Sequence, residues 1–501
     1  MSVVYPPNDL ASDAVNQFIA RSHKLYIDGE WQTPTEEGAI TVLDPATGMP
    51  IAKVPLAGRE DVDRAVKAAR TAFEEGPWSR MTPIERSKYI WRLADLIERH
   101  AGELAQIESI DAGKIVAVTQ IADIPLSAAM MHYMAGWASK VDGETFSFNR
   151  PGEYHGYTLR EPVGVAALIV PWNFPLVLTC FKLGPALAAG CTVIIKPAEQ
   201  TPLSALRLAD LVSEAGFPNG VINILTGDGP TSGAALASHP GVDKISFTGS
   251  TEVGKGILRA ASGNLKRVTL ELGGKSPMFV FPDADLDKVI PGCSSAIFFN
   301  QGQTCTAGSR LYVHRKVYDR VVAGIADGVR SLVPGHGLDP ATSLAPVVSE
   351  SQATRVARYI DLGLSAGAEA VVGGSRLERE GYFIAPTVLA NTHGDMAVVR
   401  EEIFGPVLTA MPFDDDTDLD TLAAIGNDTP FGLAASVWTT NLSTAHKMAR
   451  RLKAGTVWLN THNHYEPAAA FGGAKESGWG RECGIHGVHL FTETKTVIAA
   501  L

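Results

Sequence analysis

Apolar residues in the stretch 59–76, "REDVDRAVKAARTAFEEG", fall at Val62, Ala65, Val66, Ala69 and Phe73. That three-and-four spacing predicts a helix with one buried face, ended by Gly76. A second helix is predicted after Pro83, since proline suits a first helical turn. From residue 163 the pattern changes. "VGVAALIV" and "CTVIIK" are unbroken apolar runs of strand length. Between them and beyond lie amphipathic stretches. "TPLSALRLADLVSEAG" predicts a helix with Thr201 as cap, Pro202 behind it, and a stripe of Leu208, Leu211, Val212 and Ala215.

"VINILTG" then predicts a strand, "TSGAALASH" a helix, "VDKISFTG" a strand and "STEVGKGILRAAS" a helix. This alternation predicts an α/β fold with a parallel, doubly wound sheet, which binds ligands at the carboxyl ends of its strands. A second α/β region runs from about 275 to 480. Residues 163–195 carry one ionised side chain, Lys182, but Pro171, Pro175, Gly184, Pro185 and Gly190 cut the run into pieces. Each piece is too short to span a bilayer, so buried strand, loop, helix and strand are predicted, with no membrane partner.

Composition narrows the picture. A chain of 501 residues is too long for one core, so two or three domains are expected. Forty-three basic against 54 acidic residues give a net charge of −11, which excludes the basic footprint that nucleic acid demands. The five cysteines, Cys180, Cys191, Cys293, Cys305 and Cys483, are odd in number, scattered and without a CxxC pair. A disulfide scaffold and a zinc knuckle are poor readings, and a reducing cytosol is the better one. The start, "MSVVYPPNDLASDAV", has neither a basic nor an apolar leader segment, so no secretory signal is expected.

Candidate chemistry gathers in five places. Gly249, Ser250 and Gly254 lie where a strand enters a helix, a geometry that suits a phosphate or merely a turn. Lys196 and Glu199 leave the end of a buried strand; they either grip a ribose or form a solvated ion pair, and six letters alone favour the latter. Asn173 sits in "PWNFP", where its amide either pins its own loop or donates to a substrate oxygen. An unmet buried amide would cost about 1–3 kcal/mol. Glu271, among Leu270, Leu272 and glycines, is either a desolvated base or a carboxylate satisfied by backbone N–H groups. Cys305, in "GQTCTAGSR", has the small polar flanks of a thiol that something must reach. No serine-hydrolase elbow, Walker loop or HExxH run competes. His462, His464, His486 and His489 match no zinc spacing and are assigned to loops or the surface; no metal is expected.

Taken in order, "PWNFP", "KPAEQTP", "FTGSTEVG", "ELGGKSP", "GQTCTAGSR", "EEIFGPV", "FGLAASVW" and "FGGAKESGWGRE" resemble the aldehyde dehydrogenase superfamily, of the non-acylating NAD(P)-dependent kind. The resemblance runs from "KLYIDGEWQ" at 24–32 to "FTETKTVIA" at 491–499, and Glu271 precedes Cys305 by 34 residues as that pattern requires. It implies that Cys305 is the nucleophile, forming a thiohemiacetal and then a thioester with an aldehyde. It implies that Asn173 and the Cys305 N–H form the oxyanion hole, that Glu271 is the base, and that Lys182 and Glu482 relay its proton. For the cofactor it implies Lys196 and Glu199 at the adenosine ribose, Gly249 and Ser250 at the pyrophosphate, and Glu402 and Phe404 at the nicotinamide ribose, with Trp172 and Gly229 alongside. A glutamate at 199 favours NAD, although the resemblance leaves NADP open.

The positions resembling a substrate tunnel are Leu178, Phe181, Thr304, Thr306, Tyr465 and Phe471, with Thr304 and Thr306 expected to face it. They contain no arginine to hold a carboxylate, so an aromatic or medium-chain aliphatic aldehyde is implied, closest in look to the phenylacetaldehyde dehydrogenase branch. Ala470 stands where the family usually has proline, a change outside the catalytic set. The implied fold is a Rossmann-like NAD domain (1–141 and 163–273), a second α/β catalytic domain (274–483), and a small β oligomerisation arm (142–162 and 484–501). A cytoplasmic homo-oligomer, tetramer or dimer, follows. The rivals are a cofactor-independent cysteine hydrolase and a dehydrogenase that acylates coenzyme A, the latter disfavoured by Glu271.

Overall fold

The computed structural model describes Tyr5 and residues 7–501; residues 1–4 and 6, part of the N-terminal stretch read for a leader, lie outside the described residues. Two large sheets organise the chain. In the first, the apolar runs become the strands Val165–Ile169, Thr192–Lys196 and Lys244–Thr248, buried along their whole length. Burial on both faces is why they read as continuous rather than alternating. They pair in parallel, flanked by Ile222–Ile224 and Arg267–Glu271.

The register levels the carboxyl ends of these strands. Ile169 lies opposite Lys196 and Phe247, and Thr248 opposite Glu271. From Val165–Ile169 the chain first builds outward on one side, then returns to add Lys244–Thr248 on the other. Connections therefore diverge between those two strands and leave a crevice at their carboxyl ends, where doubly wound sheets take ligands. Antiparallel edges, Leu25–Ile27 with Glu30–Gln32 and the short Gly478–Trp479, complete this sheet.

The helix Pro175–Ala189 is buried throughout and ends at Gly190, whose φ of 100° is open to glycine. The next helix, Leu203–Ala215, corrects one expectation. Thr201 does not cap it: the Thr201 hydroxyl donates to the Trp172 carbonyl, while the Asp111 carboxylate accepts the Leu203 N–H at 2.8 Å. The buried Asp111 carboxyl finds in this N–H the hydrogen-bond partner that burial demands.

The second sheet is parallel apart from its edge strand Glu369–Val372, in the order Glu369–Val372, Thr387–Ala390, Val407–Phe413, Arg310–His314, Pro277–Val280, Ala434–Trp438 and Thr456–Leu459. Its core centres on Phe279, which is fully buried and stacked on Tyr312 at 5.1 Å. A separate two-stranded ribbon pairs Tyr154–Pro162 with Thr492–Ala500, antiparallel over nine residue pairs. Among the described residues no helix is long and apolar enough to cross a membrane.

Replacing Phe279 with alanine should cost about 3–5 kcal/mol, because the parallel strands on either side cannot close on the void. Urea unfolding would measure it, and a loss under about 1 kcal/mol would show that the second sheet is not held by this core.

Candidate active site

At the switch point of the first sheet opens a cavity of about 650 Å³, lined by Trp172, Lys196, Glu199, Gly229, Gly249 and Ser250 among others. Lys196 is no solvated surface charge. It is 3 % exposed, donates to the Pro197 carbonyl at 3.0 Å, and lies 3.4 Å from the Glu199 carboxylate. Burial lowers its pKa, with Glu199 opposing. Ser250 caps the helix Thr251–Ala261, accepting the Val253 N–H, so the positive end of that helix borders the cavity.

A second cavity, about 250 Å³, adjoins the first and shares Trp172, Thr248, Gly249 and Ser250 with it. Asn173, Leu178, Glu271, Cys305, Glu402 and Phe404 all line it. Asn173 and Glu271 come from the carboxyl edge of the first sheet, Cys305 and Glu402 from loops before the strands Arg310–His314 and Val407–Phe413 of the second. Asn173, Glu271 and Cys305 thus border one space between two sheets.

Hydrogen bonds fix the Asn173 amide. Its Nδ2 donates to the Gln303 carbonyl at 2.8 Å, and the Asn300 amide donates to the Asn173 carbonyl at 3.1 Å. One Asn173 N–H is left over. The loop carrying Cys305 starts with three left-handed residues, Asn300, Gln301 and Gly302, with φ of 49°, 54° and 69°. At Gly302 a Cβ would also strike the Gly405 carbonyl, so this position takes glycine on two grounds.

The Cys305 thiol is partly exposed, and its pKa is pushed up to about 12, first by desolvation and then by Glu402 and Glu271. Glu271 is buried, and neither of its carboxylate oxygens has a hydrogen-bond partner among the described residues. Desolvation and the Glu482 carboxylate push it well above the usual range, against Lys182 and Arg481. Room for its carboxyl comes from Gly472, where a Cβ would lie 2.7 Å from Oε1. Behind it, Lys182 donates to the Glu482 carboxylate and, at 2.6 Å, to the Thr248 hydroxyl.

Glu402 accepts the Gly274 N–H at 2.8 Å, and burial pushes it up to about 7. Phe404 has φ of 60° and sets its ring edge-on to Trp172 at 5.2 Å. Gln352 and Arg355 hold that loop by donating to the Phe404 and Glu402 carbonyls. Of the six tunnel positions, Leu178 borders the cavity with Cys305; Phe181 and Phe471 are buried in the adjoining core. Tyr465 packs edge-on to Phe471 at 5.5 Å.

Thr304 and Thr306 are both buried beside the thiol, and the Thr306 hydroxyl is bonded to Asn463 and to the Tyr465 hydroxyl, each at 2.7 Å. His462 lies in a loop, as expected, and is half-buried. It bridges the Thr306 carbonyl at 2.8 Å and the Ser436 hydroxyl at 3.0 Å, and burial lowers its pKa to about 4. Thr248, Gln352 and Arg355 escaped the sequence reading. Thr248 was visible as the last letter of a strand aimed at the crevice; the other two sit on an ordinary amphipathic helix and gave no signal.

A thiol, an amide donor and a desolvated carboxyl can together attack a carbonyl, hold its oxygen and activate water. Comparison with known proteins agrees. The family model described as "Aldehyde dehydrogenase family" matches residues 31–497. The chain is 47% identical to aldehyde dehydrogenase family 2 member B4, mitochondrial, of Arabidopsis thaliana, over 98% of this chain and 91% of that one. It is 44% identical to the phenylacetaldehyde dehydrogenase of Pseudomonas fluorescens, over 95% and 96%. A Bacillus cereus aldehyde dehydrogenase solved as its NAD+ complex superposes with a TM-score of 0.96 at 46% identity, covering 98% of this chain and 99% of that one.

Iodoacetamide should alkylate Cys305 alone, since the other four cysteines are buried. Because the thiol pKa is raised, the thiolate fraction climbs with pH, and the rate should rise about tenfold per unit from neutral to strongly alkaline solution without a plateau. Peptide mass mapping would check this; a plateau near neutrality, or label on Cys483, would contradict the burial described.

Proposed function

The chain belongs to the aldehyde dehydrogenase family, and we propose from that premise that it is an NAD-dependent enzyme oxidising aromatic or medium-chain aliphatic aldehydes to carboxylic acids. The observation that carries this reading is the cavity shared by Asn173, Glu271 and Cys305, which adjoins a larger cavity within the size range of cofactor sites.

The two adjoining cavities together fit NAD by the character of their linings. Lys196 and Glu199 would hold the adenosine ribose, Gly229, Gly249 and Ser250 the pyrophosphate, and Trp172, Glu402 and Phe404 the nicotinamide end. Bound there, NAD supplies the hydride acceptor. A carboxylate at 199 would repel a 2′-phosphate, which favours NAD over NADP.

Cys305 attacks the aldehyde carbon, forming a C–S bond. The carbonyl oxygen takes the negative charge and accepts hydrogen bonds from the free Asn173 N–H and the Cys305 backbone N–H. With the thiol pushed up to about 12, attack must be coupled to proton loss. Glu271 is the base at hand, because Glu402 is already engaged by the Gly274 N–H. After hydride loss Cys305 carries a thioester. Glu271 then takes a proton from the attacking water, the C–S bond breaks, and the acid leaves. The thiol's proton has by then passed from Glu271 to the Glu482 carboxylate of the Lys182–Glu482 pair and on to solvent, which frees Glu271 for the water; the water's proton returns to the departing sulfur and restores the thiol.

The substrate class rests on the apolar and aromatic neighbours of Cys305, Leu178, Tyr465 and Phe471, and on the likeness to a phenylacetaldehyde dehydrogenase. We assign 1–141 with 163–273 to the cofactor domain, 274–483 to the catalytic domain, and 142–162 with 484–501 to an arm that joins copies into a homo-oligomer, tetramer or dimer. The exposed Leu159 and Ile498 on the ribbon support that arm. Five unpaired thiols suit the cytoplasm.

Cys305→Ala should abolish NADH formation from any aldehyde while NAD affinity stays near normal, and Glu271→Gln should release one hydride per site and then stall. Rapid-mixing absorbance of NADH checks both; sustained turnover by either variant would remove its residue from the mechanism. Glu199→Gln should narrow the preference for NAD over NADP by about tenfold, read as the ratio of kcat/KM values. An unchanged ratio would end the ribose assignment.

A further inference from the structure

A buried ion cluster lies outside the cavity, behind the loop that carries Asn173. Glu108, Lys114 and Asp123 are each at most 4 % exposed. The Lys114 ammonium donates to the Asp123 carboxylate at 2.6 Å and lies 3.9 Å from Glu108. Its remaining side faces the ring of Phe174, with Nζ 4.0 Å from the ring centre. Phe174 in turn stacks on Phe299 at 6.1 Å with planes 16° apart, and Phe299 precedes the left-handed turn before Cys305.

The cluster also reaches the other side of the same loop. The helix Pro175–Ala189 has no capping side chain of its own, and the Glu108 carboxylate accepts its Leu176 N–H at 2.6 Å. Asn173 thus sits next to a ring held by a cation and two residues before a helix end held by a carboxylate. Such a buried cluster gives little stability of its own, since apolar residues of similar size commonly serve as well. Its placement asks for another account.

We propose that Lys114, with Glu108 and Asp123, is a positioning device for the Asn173 amide, clamping Phe174 and the first turn of the following helix so that the free N–H stays aimed beside Cys305. None of the three touches the cavity. This rests on the role given to Asn173 above. A small misplacement of an oxyanion donor costs rate without costing cofactor binding.

The test is a double-variant cycle on the full-length enzyme. Lys114→Met with Asp123→Leu replaces the pair by apolar side chains and leaves Glu108 to cap the helix as its neutral acid. In the Asn173 background kcat should fall about tenfold to a hundredfold with KM for NAD unchanged. In an Asn173→Ala background, where there is no amide left to position, the same change should cost less than about twofold. Equal losses in both backgrounds, or no loss in either, overturn the proposal. If Asn173→Ala alone leaves turnover intact, the role of that amide fails first and the clamp fails with it. Thermal melting of each variant reports folding. Should the double variant not fold, Phe174→Leu removes the ring face while keeping the ion cluster, and the same dependence on background is required.

Discussion

Three successive residues in left-handed conformation, Asn300 to Gly302, bring the thiol to the cleft, and the rest of the site depends on that turn staying closed. Asn300 and Gln301 each pay about 1–2 kcal/mol for a conformation that only glycine adopts freely. The offset is visible. Asn300 donates to the Asn173 carbonyl, Asn173 to the Gln303 carbonyl, and Gln303 accepts the Val348 N–H at 2.9 Å. At about 1 kcal/mol apiece these bonds match the strain. The same contacts that hold the turn therefore tie the amide loop of one sheet to the thiol loop of the other. Phe404 adds another positive-φ residue on the cavity wall, the kind of clustering seen where structure holds a geometry that local preference would not.

The electrostatics have one sense. Glu271 and Glu402 border the sulfur's cavity and Glu482 acts on Glu271, and desolvation pushes the first two carboxyls and the thiol toward their protonated forms. Lys182 is engaged by Glu482 and Thr248, so it offers the thiol little. Desolvation therefore disfavours a resting thiolate, and the same burial makes the Glu271 carboxylate a stronger proton acceptor.

Much of this was legible because it is local. The strands at 165–169, 192–196 and 244–248 announce themselves as apolar runs, and the five chemical stretches sit on the loops that follow or precede strands. Where the reading failed, a tertiary partner had displaced a sequence neighbour. Asp111 took the helix start that Thr201 was assigned, from 92 residues away. The Thr306 hydroxyl is likewise taken by partners far along the chain, Tyr465 and Asn463. His462 looked like one of several loop histidines, yet it supports the residue after the nucleophile. No spacing rule encodes such pairings.

Glu108, Lys114 and Asp123 were the least legible of all. In the sequence they belong to "ELAQIESIDAGK" and "QIADIP", which carry no motif. The helix Ala101–Ala112 buries its last residues from Ile107 onward, charged ones included, so its hydrophobic pattern is erased where it matters. Burial raises the Glu108 carboxyl to about 7 against the pull of Lys114. That opposition is the physical signature of charge retained at a cost. Beside a surface helix it would be unremarked, but here one carboxylate ends on the backbone three residues after Asn173 and the ammonium ends on the ring next to it. An apolar cluster could fill the same volume, yet it could neither accept the Leu176 N–H nor hold an aromatic face by charge. The argument for geometry over stability rests on those two contacts.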